Sequence, residues 1–411
     1  MNLAWLSLGA LVVAMIVSCF SQLNVGVLAL ALAWVVGVYL GHMGLNDVLG
    51  GFPTQLFLTL AGVTLLFTQA QLNGTLDRIA HAAVRVCRGN AGLIPVMFFL
   101  LACAIASAGP GNVATAAMMA PMAMAVAGRA GIPPFLMAIM VGNGAQAGAL
   151  SPFAPTGIIV NGLMQKIALG GFEWRSYLAN LAAHALVAFG GYFLLGGLGL
   201  FRRAYEGDGS AAPEDTAFAT AHWVTLAVIG AVLVVVLFLE ANIGMAAFTG
   251  AVVLATLKVA DHDQAIRRMP WTPIVMVCGV SVLVALLEKT KGLDLFTQLL
   301  AAIATPGTLT GVIAFVTGII SVYSSTSGVV LPAFLPTVPG LVARLGGDPV
   351  GVAFSMNIGA HLVDMSPLST TGAMCIAGIS DPAQARPTYN KLLVWGMSMT
   401  VVGALGCYLF F

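Results

Sequence analysis

Two stretches of the chain share a pattern that decides its fold: residues 144–157 read GAQAGALSPFAPTG, and residues 359–372 read GAHLVDMSPLSTTG. The second stretch begins 215 residues after the first (359 − 144 = 215). The same offset relates three further pairs, namely Pro121 to Pro336, Arg129 to Arg344 and Pro134 to Pro349. The chain is therefore a duplicated unit, and each copy contains an apolar segment interrupted by glycine, proline, serine and threonine.

The composition excludes an ordinary soluble domain. Hydrophobic residues make up 59% and charged residues 8% of the chain, and the mean hydropathy is +0.99, whereas a soluble domain has about 25% charged residues. A bilayer-spanning helix needs roughly 20 apolar residues, and runs of this kind fill nearly the whole length. We therefore expect an all-α polytopic membrane protein. The net charge of +1, without a basic patch, argues against nucleic acid as a partner.

The first unit, residues 1–201, contains six apolar segments, near 4–20, 24–42, 54–72, 91–128, 134–165 and 178–200. The fourth segment is divided by the sequence AGPGN at 108–112. Each half has about 15 residues, fewer than the roughly 20 that a crossing helix needs, so we predict a re-entrant hairpin. The fifth segment is predicted to be a broken helix, interrupted at 144–157.

The second unit, residues 221–411, repeats this plan after a hydrophilic linker at 202–220 that contains Glu206, Asp208, Glu214 and Asp215. Its segments lie near 222–240, 242–259, 272–288, 305–345, 349–378 and 390–410. The fourth is again a predicted hairpin, with its tip at SSTSG, 324–328, and the fifth a predicted broken helix. Five crossings and one hairpin per unit place the start of the second unit on the opposite side of the membrane. The repeats are therefore predicted to be inverted.

The basic residues predict the orientation, because cytoplasmic loops carry an excess of Lys and Arg. One side collects Arg78, Arg85, Arg88, Arg129, Arg202, Arg203, Lys258, Arg267, Arg268, Arg386 and Lys391, and the other has Lys166, Arg175, Lys289, Lys291 and Arg344. The first side is predicted to be cytoplasmic, which places the linker inside, both termini outside, and the two hairpin tips opposite each other near the membrane midplane. We expect a bacterial-type cell membrane.

The interruptions are the predicted binding site, because helix ends within a membrane offer backbone N–H groups to anions and free carbonyls to cations. The candidate substrate-binding residues are Asn112, Thr115, Ser151, Pro152, Thr156, Ser325, Thr326, Ser327, Ser366, Pro367 and Thr371. No Arg or Lys accompanies them, which favours a small oxyanion carried together with cations. For any one of these residues, close helix packing is the alternative explanation. Their recurrence at matching places favours a site.

Ionisable residues within the membrane are few and usually functional. His361 and Asp364 lie in the second interrupted segment, and Gln146 and Ala149 occupy the matching places of the first. The pair could supply a cation ligand or a proton relay. Alternatively, the two side chains satisfy each other's hydrogen bonds. His184, which a packed histidine would explain, and Glu240, at a helix end, are weaker candidates.

The first hairpin tip carries a family resemblance. Its sequence GNVATAAMM, 111–119, resembles the Ser-Asn-Thr-Ala-Thr-Ala-Ala signature of the divalent anion:sodium symporter family, within the ion transporter superfamily. The stretches 109–112, 137–141 and 151–159 look like the MatC-type malonate and dicarboxylate carrier branch. The resemblance implies an elevator transporter, in which a scaffold domain forms the homodimer contact and a transport domain carries both hairpins and both broken helices. It also implies di- or tricarboxylate substrates coupled to sodium.

The resemblance carries over residue by residue only in part. Asn112 matches the family's Asn, whereas Gly111 and Val113 replace its Ser and Thr. At the second tip, 325–327 occupies the corresponding region, whereas the repeat offset pairs 111–113 with 326–328 instead. The residues expected to serve cation binding and coupling, with Na⁺ at the hairpin tips, are Gly111, Asn112, Gly144, Gln146, Thr326, Gly359, His361 and Asp364.

Together these observations predict a secondary transporter of small dicarboxylates such as malonate or succinate, coupled to a cation, with sodium favoured over the proton. No other cofactor is expected. The alternative is a cation/proton antiporter or an arsenite-type permease of the same superfamily, which would use Asp364 as its ion carrier. An enzyme is not expected, because the chain has no Gly-x-Ser-x-Gly elbow, no His-Glu-x-x-His pair and no Walker-type phosphate loop.

Overall fold

The structure, a computed structural model, describes residues 2–21, 23–76, 78–79, 90–203, 218–239, 241–379 and 381–411. Within these ranges the chain forms helices joined by short connections, and no β-strand is present. Some sequence predictions fall outside the described residues: those on Glu240, Arg85 and Arg88, and most of the linker, residues 204–217.

The first half of the chain contains the following helices among the described residues: α1 (Leu3–Phe20), α2 (Val25–Trp34, extended by a π-helical segment Val35–Leu40), α3 (Leu45–Leu49), α4 (Thr54–Leu72), α5 (Leu93–Ala108), α6 (Gly111–Ala130), α7 (Pro134–Ala147), α8 (Pro155–Lys166) and α9 (Glu173–Tyr192, extended by a π-helical segment Phe193–Gly197 and a short helix Leu198–Leu200). Asn2 and Asn24 cap the first two helices by accepting hydrogen bonds from backbone N–H groups. Gly131, with a φ of +62°, ends α6 in the left-handed conformation that glycine tolerates. Helices α7 and α8 each begin at a proline, which needs no N–H partner there.

The second half contains ten helices among the described residues: α10 (Thr220–Phe238), α11 (Ile243–Thr256), α12 (His262–Arg268), α13 (Trp271–Lys289), α14 (Gly292–Ala301), α15 (Leu309–Ser321), α16 (Thr326–Leu345, which includes π-helical and 3₁₀ turns), α17 (Pro349–Leu362), α18 (Thr370–Ala377) and α19 (Pro382–Phe410). Their bounds follow those of the first half at the offset found in the sequence. Helix α16 begins 215 residues after α6 (326 − 111), and α17 begins 215 residues after α7 (349 − 134).

Six helices are long and apolar enough to cross a membrane by length and composition: Thr54–Leu72, Gly111–Ala130, Glu173–Leu200, Trp271–Lys289, Thr326–Leu345 and Ala383–Phe410. Shorter apolar helices of 10–17 residues accompany them among the described residues. This helix content is that of a polytopic membrane protein.

One length argument made from the sequence is wrong. The two halves of the first predicted hairpin are α5 and α6, and α6 has 20 residues rather than about 15. It is longer because it continues through Pro121 and Arg129 to Gly131. The turn itself lies where the AGPGN sequence predicts it, since only Gly109 and Pro110 separate the two helices, which pack against each other. The hairpin is therefore defined by its turn and not by short arms.

Glycines allow the closest helix contacts. A Cβ atom at Gly26 in α2 would lie 2.2 Å from the carbonyl oxygen of Val275 in α13, and one at Gly62 in α4 would lie 2.3 Å from the carbonyl oxygen of Gly244 in α11. These two contacts are counterparts, because at the repeat offset α13 corresponds to α4 and α11 to α2. Helices α2, α4, α11 and α13 thus form one tightly packed group that draws on both halves of the chain.

A second group is formed by the hairpins and the interrupted helices, again with glycine at the closest approach. A Cβ atom at Gly144 in α7 would lie 2.4 Å from the carbonyl oxygen of Phe99 in α5. At Gly359 in α17 it would lie 2.4 Å from the carbonyl oxygen of Ala314 in α15. Gly144 and Gly359 were predicted to serve cation coupling. In the structure each one brings a broken helix against a hairpin.

We expect Gly144→Ala and Gly359→Ala each to lower the free energy of unfolding, by about 1–3 kcal/mol, because the added methyl group meets backbone that cannot move away cheaply. Thermal unfolding of the purified protein measures this. Gly128→Ala is the matched control, since no atom lies within 4 Å of its Cβ position, and the better helix propensity of alanine should make that variant neutral or slightly more stable. Equal effects at all three positions would contradict the close-packing explanation.

Candidate functional site

Both predicted helix interruptions are present, but the first is shorter than expected. Helix α7 continues to Ala147, so Gly144 and Gln146 are still helical, and residues 148–154 form the break before α8. The sequence analysis places the start of the break at 144, because glycines often end helices. In the structure the small size of Gly144 instead allows α7 to pack closely against α5. In the second half α17 ends at Leu362, a 3₁₀ turn covers Val363–Met365, and α18 begins at Thr370.

The tip of the first hairpin lies against the first break. Gly109 and Gly111 have φ values of +146° and +77°, a conformation that side-chain-bearing residues rarely adopt. A Cβ atom at Gly111 would lie 2.8 Å from the Cδ atom of Pro155, the first residue of α8. The family's serine is replaced by glycine here, and both the turn and the proximity of Pro155 require glycine.

Asn112 joins the first tip to both sides of the first break. Its Nδ2 donates a hydrogen bond to Oε1 of Gln146 in α7 at 2.9 Å. Its Oδ1 accepts a hydrogen bond from Oγ1 of Thr156 in α8 at 3.3 Å. The amide is therefore used at both ends.

Gln146 in turn connects the two halves of the chain. Its Nε2 lies 3.1 Å from Oγ1 of Thr371 in α18 and 3.4 Å from Oδ2 of Asp364 in the second break. One side chain thus bridges the two interrupted helices.

The second hairpin tip completes the connection. Oγ1 of Thr326, the first residue of α16, donates a hydrogen bond to Oδ1 of Asp364 at 2.8 Å. The hydroxyl of Ser321, at the end of α15, is hydrogen-bonded to that of Thr326. The result is a continuous hydrogen-bonded chain, here called the central network, made of Asn112, Gln146, Thr156, Ser321, Thr326, Asp364 and Thr371. All seven side chains are buried.

The remaining predicted residues lie around the central network. Ser151 donates to the carbonyl oxygen of Ser107 in α5 at 2.7 Å, and Ser366 accepts from the backbone of Leu368 at 3.3 Å. Ser325 accepts from the backbone N–H of Gly328 at 3.1 Å and so caps the start of α16. These three serines stabilise backbone turns. Of the others, Ser327 follows Thr326 and is partly buried. Both Thr115 and Pro367 are buried. Pro152 lines a cavity described below.

The alternative that His361 and Asp364 bond to each other is wrong. The His361 Nδ1 atom lies 2.8 Å from the carbonyl oxygen of Asn357, one turn earlier in the same helix. The Asp364 carboxylate instead accepts from Thr326 and Gln146. They point to different partners, and only Asp364 belongs to the central network.

Three residues that the sequence did not single out support the network. Asn180 in α9 donates to the carbonyl oxygen of Gln146 at 2.9 Å. Ser321 ends α15, and the hydroxyl of Ser369 bonds to the carbonyl oxygens of Asp364 and Ser366. Asn180 lies in α9, a helix that the pattern of interruptions did not mark, so no sequence signal was available for it. Ser321 lies within the predicted second hairpin, three residues before its tip, and was not chosen.

The chemistry of the central network is that of hydroxyl, amide and carboxylate oxygens with a single acidic group. An ionised carboxylate is costly to bury without a positive partner, and no hydrogen bond joins Asp364 to Lys or Arg among the described residues. Oxygen atoms of this kind are the ligands that hard cations prefer. Among the described residues, no group of three or more His, Cys, Asp or Glu could hold a metal ion. The donor set therefore fits an alkali cation better than a transition metal.

A cavity of about 930 Å³ lies between the two packed groups of helices. Its lining includes Thr59 in α4 and Glu288 in α13 on one side, and Pro152, Lys166 at the end of α8 and Pro332 in α16 on the other. Pro152 belongs to the first break, so the cavity reaches from the ends of the helices to this break.

Comparison with known proteins gives one family. Residues 1–149 match the family model described as the dicarboxylate carrier protein MatC N-terminus. No curated protein matches the chain. The family match confirms the resemblance to MatC-type dicarboxylate carriers, on residues that include the first hairpin and Gln146. That family consists of carriers, so the match points to a transporter in a membrane and away from an enzyme.

Replacing Gln146 with alanine is expected to lower the free energy of unfolding by about 1–3 kcal/mol, because it leaves the buried Asn112 amide without its acceptor. Chemical or thermal unfolding of the purified variant checks this. Gln165→Ala, at an exposed position of α8, is the control and should change stability by less than about 0.5 kcal/mol. If the two variants were equally stable, the central network would not hold the interrupted helices together.

Proposed function

We infer that the protein is a secondary active transporter of small dicarboxylates of the malonate or succinate class, coupled to a cation. The observation that carries this proposal is the central network, in which both hairpin tips and both helix interruptions meet at buried oxygen and amide groups. The family match over the first 149 residues supports the substrate class. Binding would separate these groups and replace their mutual hydrogen bonds with bonds to the ligands.

The substrate carboxylates would bind at the amino-terminal ends of α6, α8, α16 and α18. These helices begin at Gly111, Pro155, Thr326 and Thr370, and free backbone N–H groups at a helix start favour an anion. The side chains of Asn112, Thr156 and Thr371 would add hydrogen bonds. No hydrogen bond joins an Arg or Lys to these three side chains among the described residues, so a cation bound nearby would have to balance the substrate's charge.

Asp364, Thr326 and Thr371 would hold the coupling cation, with Na⁺ favoured over the proton because two hydroxyl oxygens accompany the carboxylate: a hard cation needs several oxygen ligands, whereas a proton needs only the carboxylate. Gly111, Gly144 and Gly359 would have a structural role in this proposal, because each one allows a close contact with a neighbouring element. The side chains of the central network, and not these glycines, would bind the coupling cation. His361 lies one helical turn before Asp364 and bonds to backbone.

The movement that transports the substrate would be a displacement of one helix group against the other. Helices α2, α4, α11 and α13 would be the scaffold, and the hairpins with the interrupted helices would move. Each of the two inverted repeats would contribute two scaffold helices, one hairpin and one interrupted helix. The contacts of α2 with α13 and of α4 with α11, each between opposite halves of the chain, support this arrangement. A homodimer in a bacterial-type cell membrane, with both termini outside, completes the proposal from family resemblance and loop charge.

The cavity would be the entrance from outside. Lys166, Glu173 and Glu288 lie at its charged end, and Lys166 and Lys289 belong to the loops that the charge rule places outside. The cavity separates the proposed scaffold from the proposed moving group, which is where a substrate must enter before such a displacement.

A cation/proton antiporter or arsenite-type permease is the second candidate, and the burial of a single carboxylate, Asp364, is the observation that favours it. Such a protein would carry its ion on Asp364 and would need no organic substrate. The two candidates differ in whether a dicarboxylate binds.

The first test is thermal unfolding of the purified protein with malonate, succinate and related dicarboxylates, each in sodium, in potassium and at two pH values. A ligand at a hundred times its Kd stabilises the folded state by about 2.7 kcal/mol. We expect stabilisation by a dicarboxylate only when sodium is present. Stabilisation that follows pH instead would assign the coupling to protons, and no stabilisation by any carboxylate would favour the antiporter or permease.

Asp364→Asn separates the two candidates in reconstituted vesicles. The substitution keeps the shape and the hydrogen bond from Thr326 but removes the charge. In a symporter, dicarboxylate binding should survive in weakened form while its sodium dependence disappears. If the variant loses all ion transport and the wild-type protein binds no dicarboxylate in the sodium series, the protein is instead an ion carrier.

Lys166→Gln is expected to raise the KM for a dicarboxylate roughly two- to fivefold at low ionic strength, with little change in the maximal rate, because an exposed charge attracts the anion without touching it in the central network. The effect should shrink as salt is added. Lys291→Gln, which removes an exposed lysine that does not line the cavity, is the control. An unchanged KM in the Lys166 variant would argue against this cavity as the entrance.

A further inference from the structure

A second buried polar cluster lies beside the central network, on the facing sides of α9 and α17. It contains His184 and Asn180 in α9 and His361 and Asn357 in α17, each at most 1% exposed. Within each helix the two residues are four positions apart and so share a face. The two helices pack against each other, and their faces meet where Asn357 Nδ2 lies 3.4 Å from the hydroxyl of Ser176 in α9.

The hydrogen bonds fix which nitrogen of each ring carries a proton. His361 Nδ1 lies 2.8 Å from a backbone carbonyl, which only accepts, so Nδ1 must be the donor. His184 Nδ1 lies 2.9 Å from Oδ1 of Asn143, whose Nδ2 donates to the carbonyl oxygen of Ile139. The Asn143 oxygen is therefore an acceptor as well, and His184 Nδ1 is a donor. In both neutral rings the Nε2 atom is left as an acceptor.

The two amides are oriented in the same way. Asn180 donates through Nδ2 to the carbonyl oxygen of Gln146, and Asn357 donates through Nδ2 to Ser176 and to the sulfur of Met164. Each therefore keeps its Oδ1 as an acceptor. These two oxygens and the two Nε2 atoms are all buried without a hydrogen-bond partner among the described protein residues.

The cluster thus presents four acceptors and no donor, and leaving such atoms unsatisfied is costly. A divalent metal ion is disfavoured, because the cluster offers only two imidazoles and zinc sites use three or four protein ligands, and no group of three or more His, Cys, Asp or Glu that could hold a metal ion is present among the described residues. A water molecule supplies two O–H donors and is the usual partner of buried polar groups.

We propose that His184, His361, Asn180 and Asn357 form an internal hydration site, in which at least two water molecules donate hydrogen bonds to the four acceptors and couple α9 to α17. The site is distinct from the central network but supports it, since Asn180 also holds the carbonyl oxygen of Gln146. It does not depend on the identity of the transported substrate.

A high-resolution structure of the wild-type protein tests the site directly. We expect two water molecules, each about 2.7–3.2 Å from two of the four acceptor atoms. An ion at about 2.0–2.1 Å from the Nε2 atoms, the distance typical of zinc, would overturn the proposal. So would a direct contact between a ring Nε2 and an amide oxygen, which requires a protonated ring, or a site without solvent density.

A double-mutant cycle tests the coupling in solution. His184→Leu and His361→Leu are expected each to lower the Tm by roughly 2–8 °C, and the double variant should lower it by little more than one of them, because the first substitution already removes the bridging water. The control cycle pairs His184→Leu with His222→Leu, whose ring lies outside the cluster and bonds to Ala219 and Asn73. That pair should be additive.

Additive effects in both cycles would show that nothing bridges the two rings and would overturn the proposal. Because the readout is stability in the absence of any carboxylate, the cycle can succeed even if the proposed dicarboxylate transport is wrong. It can also fail while dicarboxylate binding is intact.

Discussion

The structure depends on the mutual satisfaction of buried polar groups at the point where four interrupted or turning segments meet. Gln146 is the centre of this arrangement, because its side chain accepts from Asn112 in one hairpin tip and donates toward Thr371 and Asp364 in the other half of the chain. The surrounding lipid offers no partners that could take over these bonds. The non-helical backbone of the two breaks is therefore tolerated only because the groups around it complete one another.

The same residues that hold the site together are the ones a ligand would have to engage. A network closed on itself is stable without ligand. It becomes a binding site if an anion and a cation offer better partners than the side chains offer each other. The balance between these two states is narrow, because a hydrogen bond exchanged for another contributes only about 0.5–1.5 kcal/mol. Such a balance suits a carrier, which must bind and also release.

Close helix packing supplies the second constraint and explains several of the chain's 48 glycines. The contacts at Gly26 and Gly62 join helices from opposite halves, whereas those at Gly144 and Gly359 join a hairpin to an interrupted helix within one half. The chain is thus divided into two groups with different internal partners, and a cavity lies between them. Small residues achieve in a membrane what hydrophobic burial achieves in water.

The sequence by itself determined the class of the protein and the approximate places of the hairpin turns and of the breaks. These properties follow from composition, from the 215-residue offset and from proline and glycine positions, all of which act locally along the chain. It could not predict that Gly144 and Gln146 lie within a helix, since a glycine that permits packing and one that ends a helix look alike. Nor could it predict that His361 and Asp364, three residues apart, turn to different partners. Only the tertiary structure decided that Asp364 joins Thr326 and Gln146, and that Asn180 and Ser321 bond to the residues of this network. The reason is physical: a buried polar side chain bonds to whatever group the fold brings within about 3 Å, and residues separated by more than 200 positions carry no mark of that proximity.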